Sequence, residues 1–210
     1  LDAHTANPGD LSWQPLEAIA SCEVHARTPL DQTVARCAGA EIVITNKAPL
    51  TREIIAALPD LKYIGVTATG FNIVDVVAAK ERGIIVTNVP GYSTPAVAQH
   101  VIALMLEMTS HVGHASQSVA DGGWVRCPDF CYYDHPIIEL SGRTLGIIGW
   151  GGITREVIKR LAAWGCRFLV YSRSASEPVP GVTFVPLDEL LSRSDAILVL
   201  TSLNPTTRHM

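Results

Sequence analysis

Charge is scarce in this chain. Asp, Glu, Lys and Arg make up 17% of the 210 residues, against 48% hydrophobic residues. That balance excludes a disordered polypeptide, which lacks the apolar surface needed to offset its chain entropy. No Lys/Arg cluster is present, and a formal net charge of −4 leaves no electrostatic footprint for nucleic acid. Long apolar runs are also missing. The longest stretch, Pro95–Met108, is broken by Gln99, His100 and Glu107, so no membrane partner is expected. No signal-peptide pattern is expected at the start. The five cysteines (Cys22, Cys37, Cys127, Cys131, Cys166) are odd in number and scattered, which fits free thiols in a reducing cytoplasm. Neither a fixed-period repeat nor a low-complexity segment is visible.

What the chain does have is alternation. Strand-like runs are expected at Cys22–His25, Glu41–Thr45, Leu61–Val66 and Ile84–Thr87. Between them lie helical patterns at Pro29–Cys37, at Thr51–Leu58 with Thr51 as N-cap, and at Ile73–Arg82 before Gly83. The turn-forming stretch Asn88–Ser93 then leads into a long helix from near Thr94 to about Gly113. Gly122–Ser141 reads as an irregular excursion, and strands recur at Arg167–Tyr171, Val182–Val185 and Ala196–Leu200. Such alternation predicts an α/β architecture of parallel strands with crossover helices. A boundary is expected near residue 93, giving domains 1–93 and 94–210.

The most informative stretch is Thr144–Thr154, TLGIIGWGGIT. An apolar strand enters Gly149-Trp150-Gly151-Gly152, and the helical pattern Ile153, Val157, Ile158, Leu161 follows. This is a strand, a tight glycine turn and a helix, which brings backbone amides close to a pyrophosphate at the positive end of a helix. Gly149, Gly151, Gly152 and Ile153 are therefore candidate dinucleotide ligands. The third glycine of the fingerprint is replaced by Thr154, which is expected to push the helix outward or to weaken cofactor binding. About 20 residues on, where an acid would hold the ribose of NAD, the chain reads Ser172-Arg173-Ser174. A hydroxyl and a guanidinium fork suit a 2′-phosphate, so NADP(H) is favoured over NAD(H).

Three further stretches carry a resemblance: Leu58–Asp75 (LPDLKYIGVTATGFNIVD), Val86–Ser93 (VTNVPGYS) and Leu187–Asp195 (LDELLSRSD). Together they resemble the D-isomer-specific 2-hydroxyacid dehydrogenases. Asn7–Trp13 and Cys127–Cys131 are more particularly similar to the glycerate dehydrogenase and hydroxypyruvate reductase branch. The resemblance covers essentially every residue given and about two thirds of a family chain. It implies two doubly wound parallel-sheet domains, a flavodoxin-like substrate domain and an incomplete Rossmann domain. It also implies a homodimer and hydride exchange between a nicotinamide and a small 2-oxo or 2-hydroxy acid.

The family's catalytic Arg, Glu and His lie downstream of Met210 by this resemblance, so no catalytic residue is named here. Both ends are expected to be truncated, and the isolated chain is expected to be inactive. Thr69 and Gly70 match the position that binds the substrate carboxylate through backbone amides, although Gly70 also reads as a turn glycine needing positive φ. Lys47, at the carboxyl end of a strand beside Asn46, would add positive charge for an acidic substrate. Thr201 and Ser202 match the loop lining the adenine side, with Ser202 where the family usually has proline, and Val97 matches a nicotinamide neighbour. His100 is expected to be a packed helix histidine, and His111 and His114 to suit a helix C-terminus. The series Cys127, Cys131, His135 lacks a fourth ligand at regular spacing, and no metal is expected. The alternative to an enzyme is a non-catalytic dinucleotide-binding scaffold of the corepressor kind, because fold alone does not fix function. Formate or phosphoglycerate remain open as other substrates of the same machinery.

Overall fold

Short Val/Ile runs bounded by turn residues become strands because β-branched side chains pack well on a pleated surface. The computed structural model describes residues 1–173, 178–204 and 206–210. It divides into two compact units, Leu1–Tyr92 and Ser93–Met210. The first holds a parallel sheet of β1 (Ile42–Thr45), β2 (Tyr63–Val66) and β3 (Ile85–Thr87), in that order. Ile42 pairs with Tyr63, and Tyr63 with Ile85. Side chains alternate across the strands, so Val43, Ile64 and Val66 are buried with Leu50, Ile55 and Leu58, while Ile42 and Ile85 stay exposed on the other face. Each fully buried aliphatic side chain contributes roughly 1.5–3 kcal/mol relative to exposure.

The connecting helices start on side-chain caps. Thr51 Oγ1 accepts from the Ile54 amide ahead of the helix Arg52–Ala56, and an Asp75 carboxylate oxygen accepts from the Ala78 amide at 2.8 Å ahead of Val76–Glu81. Cys22–His25, expected as a strand, joins no ladder among the described residues. Cys22 and Val24 are exposed, and His25 O instead accepts from the Ala3 amide.

In the second unit β4 (Thr144–Ile148), β5 (Arg167–Tyr171), β6 (Val182–Phe184) and β7 (Ala196–Val199) form a parallel sheet in the order β6-β5-β4-β7. Central β4 is buried along its whole length, which explains its unbroken apolar character. Leu145 and Ile147 pack with Ala98, Met105, Val157 and Leu161, while Ile148 packs with Leu169 and Leu190 on the second face. A methyl group on Gly146 would come within 2.7 Å of Leu190 Cδ2, so its absence lets the helix Leu187–Arg193 lie close on the sheet.

The long helix runs over Thr94–Ser110 and packs on the helix Gly152–Leu161. It ends sooner than expected, because His111 takes a left-handed conformation (φ 48°) and a separate helix, Val112–Ala120, follows. Among the described residues no helix is long and apolar enough to cross a membrane. Both units are thus parallel α/β layers, as the alternation predicts.

Candidate functional site

Strand order reverses in the second unit between β4 and β7, the place where ligands of open α/β sheets collect beyond the carboxyl ends of the strands. The first residue past β4 is Gly149, at φ +108°. A methyl group there would stand 2.9 Å from both the Leu200 carbonyl oxygen and the Thr201 amide, so glycine is required. Its amide donates to Tyr171 O at 2.9 Å, tying the turn to β5.

Gly151 is extended (φ −132°), with open space where a side chain would stand. Because its N-cap is this glycine, the helix Gly152–Leu161 receives no side-chain cap. Its first amides, those of Gly152 and Ile153 among them, have no intrahelical acceptor and sit at the positive end of the helix dipole. A cradle that a side chain would fill, at the end of a buried strand, fits the pyrophosphate of a dinucleotide. Trp150 closes one side. Its indole meets Phe184 edge to face at 5.2 Å, and the Arg155 guanidinium lies 5.0 Å above the ring.

A cleft of about 530 Å³ opens over this turn. It brings together Gly149, Gly151, Ser172, Arg173, Thr201 and Ser202, which are 53 residues apart at their extremes. Gly152 and Ile153 adjoin it at the helix start, and Ser174 lies outside the described residues. Arg173 donates to the Thr206 hydroxyl, which in turn donates to Asn204 Oδ1 at 2.7 Å, so the guanidinium is held at the rim. Among the described residues the lining contains one cationic side chain and no acidic one. Tyr171, Thr207 and Met210 also line it, and no motif in the sequence points to them. The Thr207 hydroxyl donates to Ser202 O at 2.7 Å, an ordering contact with no local sequence signal. Val97 is half-buried one turn beyond Thr94, whose side chain abuts Gly152, and it is not among the residues lining the cleft.

Thr154, expected to push the helix outward or to weaken cofactor binding, is fully buried, and its hydroxyl donates to Gly149 O at 2.9 Å.

In the first unit the ends of β1 and β2 are neighbours. Thr45 pairs with Val66, and the Thr67 amide donates to Thr45 O. Thr69 is exposed. Its hydroxyl donates to Val89 O at 3.1 Å and its carbonyl accepts from Asn88 Nδ2 at 2.8 Å, lacing this loop to the one after β3. Gly70 does not take a positive φ, so the turn-glycine reading is not met. What glycine leaves there is open backbone: a methyl group on it would meet only Asn72 Oδ1, at 3.5 Å. Lys47 is exposed.

Sequence reasoning missed Asp2. Its buried carboxylate accepts from the amides of Asn46 (2.8 Å), Lys47 and Ala48 (3.2 Å), and from the Thr5 hydroxyl. Burial pushes this carboxyl up, but the donors outweigh it and hold it below the usual carboxylate range.

The remaining candidates stand apart from the cleft. His100 is exposed on the long helix, not packed as expected, because the buried stripe runs through Ala98 and Met105 instead. Cys127 Sγ donates to Cys131 O at 3.8 Å, while His135 turns away to pack on His111 and His114, with ring centroids 4.9 and 4.4 Å apart. His114 bonds Asp134 at 2.9 Å, and that bond is the main reason the Asp134 carboxyl lies below its ordinary value. Burial raises the thiols of Cys37 and Cys166, which makes them poor nucleophiles.

The chain is 44% identical over 212 aligned positions to a hydroxypyruvate reductase of Blautia hydrogenotrophica, covering 99% of this chain and 66% of that protein. An acyclic imino acid reductase solved in complex with NADPH and D-Arg superposes with a TM-score of 0.81 at 27% identity, covering 94% of this chain and 63% of that one. A D-lactate dehydrogenase from Aquifex aeolicus, complexed with NAD and lactic acid, gives 0.78 at 27% identity, covering 94% and 59%. The chain thus spans just under two thirds of the length of these proteins. Residues 6–175, which include β4 and its glycine turn, match the family model of the D-isomer specific 2-hydroxyacid dehydrogenase catalytic domain, and with that match the chain belongs to this dehydrogenase family.

Proposed function

We propose that this chain carries the cofactor turn and part of the substrate site of an enzyme that moves hydride between a nicotinamide and a small D-2-hydroxy or 2-oxo acid. The substrate is of the glycerate/hydroxypyruvate or glyoxylate type, and NADP(H) is favoured over NAD(H). One observation carries the reading: an uncapped helix start beside a glycine that nothing else can replace, opening into a cleft with a guanidinium at its far rim. The nicotinamide, when bound, supplies the hydride chemistry. The residues here would hold it, with Gly149–Ile153 at the pyrophosphate, Thr201 and Ser202 at the adenine side and Ser172 and Arg173 at the 2′-phosphate. Val97 would stand near the nicotinamide.

In this reading residues 1–93 form the substrate domain and 94–210 the dinucleotide domain. Thr69 and Gly70 offer amides to the substrate carboxylate. Lys47 offers only its ammonium, since its own amide is bonded to Asp2. No proton donor is assigned among these residues, and the 210 residues alone are expected to bind cofactor without turnover. A homodimer is part of the proposal. Met108, Val125, Phe130 and Tyr133 on the long helix and the excursion are 72–89% exposed, more apolar surface than a free face comfortably presents. The family chemistry and the unpaired thiols suit a cytoplasmic enzyme.

The test is titration calorimetry of NADPH and NADH against the chain and its Arg173→Ala variant. NADPH is expected to bind at least about tenfold tighter, since charge-assisted bonds are worth about 1.5–3 kcal/mol, and R173A should erase the difference. Equal binding, or tighter NADH, would overturn the preference. Hydroxypyruvate turnover by the full-length protein separates the enzyme from a dinucleotide-binding scaffold, which would bind without turning over.

A further inference from the structure

Thr154 occupies the position where the dinucleotide fingerprint has its third glycine, and it is wholly buried against the turn. Its hydroxyl donates to Gly149 O at 2.9 Å, while the Gly149 amide donates to Tyr171 O at 2.9 Å. Gly149 is therefore bonded at both ends, once to β5 and once to the helix that follows. A planar trans peptide sends its C=O and N–H in opposite directions. Holding the Gly149 carbonyl toward Thr154 accordingly turns the Trp150 amide away from the helix body. The face of Gly149 that carries no side chain is pressed on Leu200 O and Thr201 N, so this residue has little room to adjust.

We propose that Thr154 is a positioning residue for the cofactor turn. Its hydroxyl fixes by a hydrogen bond the helix-to-turn register that glycine provides elsewhere by being small. This deepens the dinucleotide reading and rests on it. The replacement then does not impair the turn: the bond sets the peptide plane that presents the backbone to the pyrophosphate, and the loss of the bond, rather than the size of the side chain, weakens binding.

Thr154→Val keeps the shape and removes the hydroxyl, and Thr154→Ser keeps the hydroxyl and removes the methyl. Dissociation constants for NADPH and NADH are measured by calorimetry, below the lowest unfolding midpoint of the proteins compared. The expected order is the unaltered chain and T154S within about twofold, and T154V weaker by about five- to tenfold, the value of one hydrogen bond. A purely packing role predicts the reverse order, with valine harmless and serine costly. That order, or T154V equal to the unaltered chain, overturns the proposal. So does Thr154→Gly if it binds tighter than threonine. Failure of the unaltered chain to bind either dinucleotide is a distinct result, which overturns the dinucleotide reading and the role of Thr154 with it.

Discussion

Two strand ends in this molecule gather backbone amides, and they are finished in opposite ways. After β1, the amides of Asn46, Lys47 and Ala48 converge on the buried carboxylate of Asp2. After β4, the first turn of the helix Gly152–Leu161 is capped by no side chain among the described residues. The same backbone chemistry is satisfied by a carboxylate in one unit and left without a side-chain cap in the other. A cluster of amides at a strand end therefore says little by itself, and what decides its use is whether the protein already supplies the negative charge. The helices Arg52–Ala56 and Val76–Glu81, closed by Thr51 and Asp75, belong with the first case.

The sharpest way to break the contrast is to close the open end. Gly151 is extended with free space around it, so Gly151→Asp is sterically tolerated and places a carboxylate where Asp75 stands on its own helix. Dinucleotide affinity is expected to fall by about 100-fold or more through repulsion and competition for the amides. Stability should rise by about 0.5–1 kcal/mol. Calorimetry beside a thermal melt checks both, and undiminished binding would mean that the pyrophosphate does not sit at this turn.

Opening the closed end comes next. Asp2→Asn removes the charge that three amides and two hydroxyls, those of Thr5 and Thr45, address, and should cost about 2–4 kcal/mol in urea unfolding. The pH dependence has a definite sign. The Asp2 carboxyl is depressed in the folded protein, so its stabilisation is full above the unfolded value of about 3.9 and is lost as pH falls through the lower folded value. The acid limb of the stability curve should therefore flatten in D2N, and an unchanged limb would show that Asp2 is not its source.

The smallest effect should come from the ordinary caps. Thr51→Ala and Asp75→Ala are each expected to cost about 1 kcal/mol of stability and to leave dinucleotide affinity unchanged. A change in affinity would show that the two kinds of helix start are not independent.

The β4 turn was legible in the sequence because everything that defines it is local: an apolar run, then glycines, then a period of 3.6. Thr51 as a cap was legible for the same reason. Asp2 was not, since 44 residues separate it from the Asn46 amide it serves, and a lone aspartate before a helical turn carries no sign of that partner. Cys22–His25 misled because its composition is strand-like while Cys22, Glu23 and Val24 face solvent. Thr154 could be read as a departure, but its outcome could not. Whether a buried hydroxyl finds an acceptor is decided by one carbonyl's direction, a tertiary fact. Ser172 and Arg173 line the cleft because strand length and register carry them past the end of β5.

Trp150 gives the turn an optical consequence. It is one of four tryptophans, at positions 13, 124, 150 and 164, and it sits between the two glycines that would face the cofactor. Trp124 and Trp164 are 54% and 40% exposed, so solvent already relaxes much of their emission. Trp150 is held against Phe184 and Arg155. Indole emits where reduced nicotinamides absorb, so occupancy of the turn can be followed in the untagged protein by energy transfer, with Trp150 the donor that sits in the turn itself.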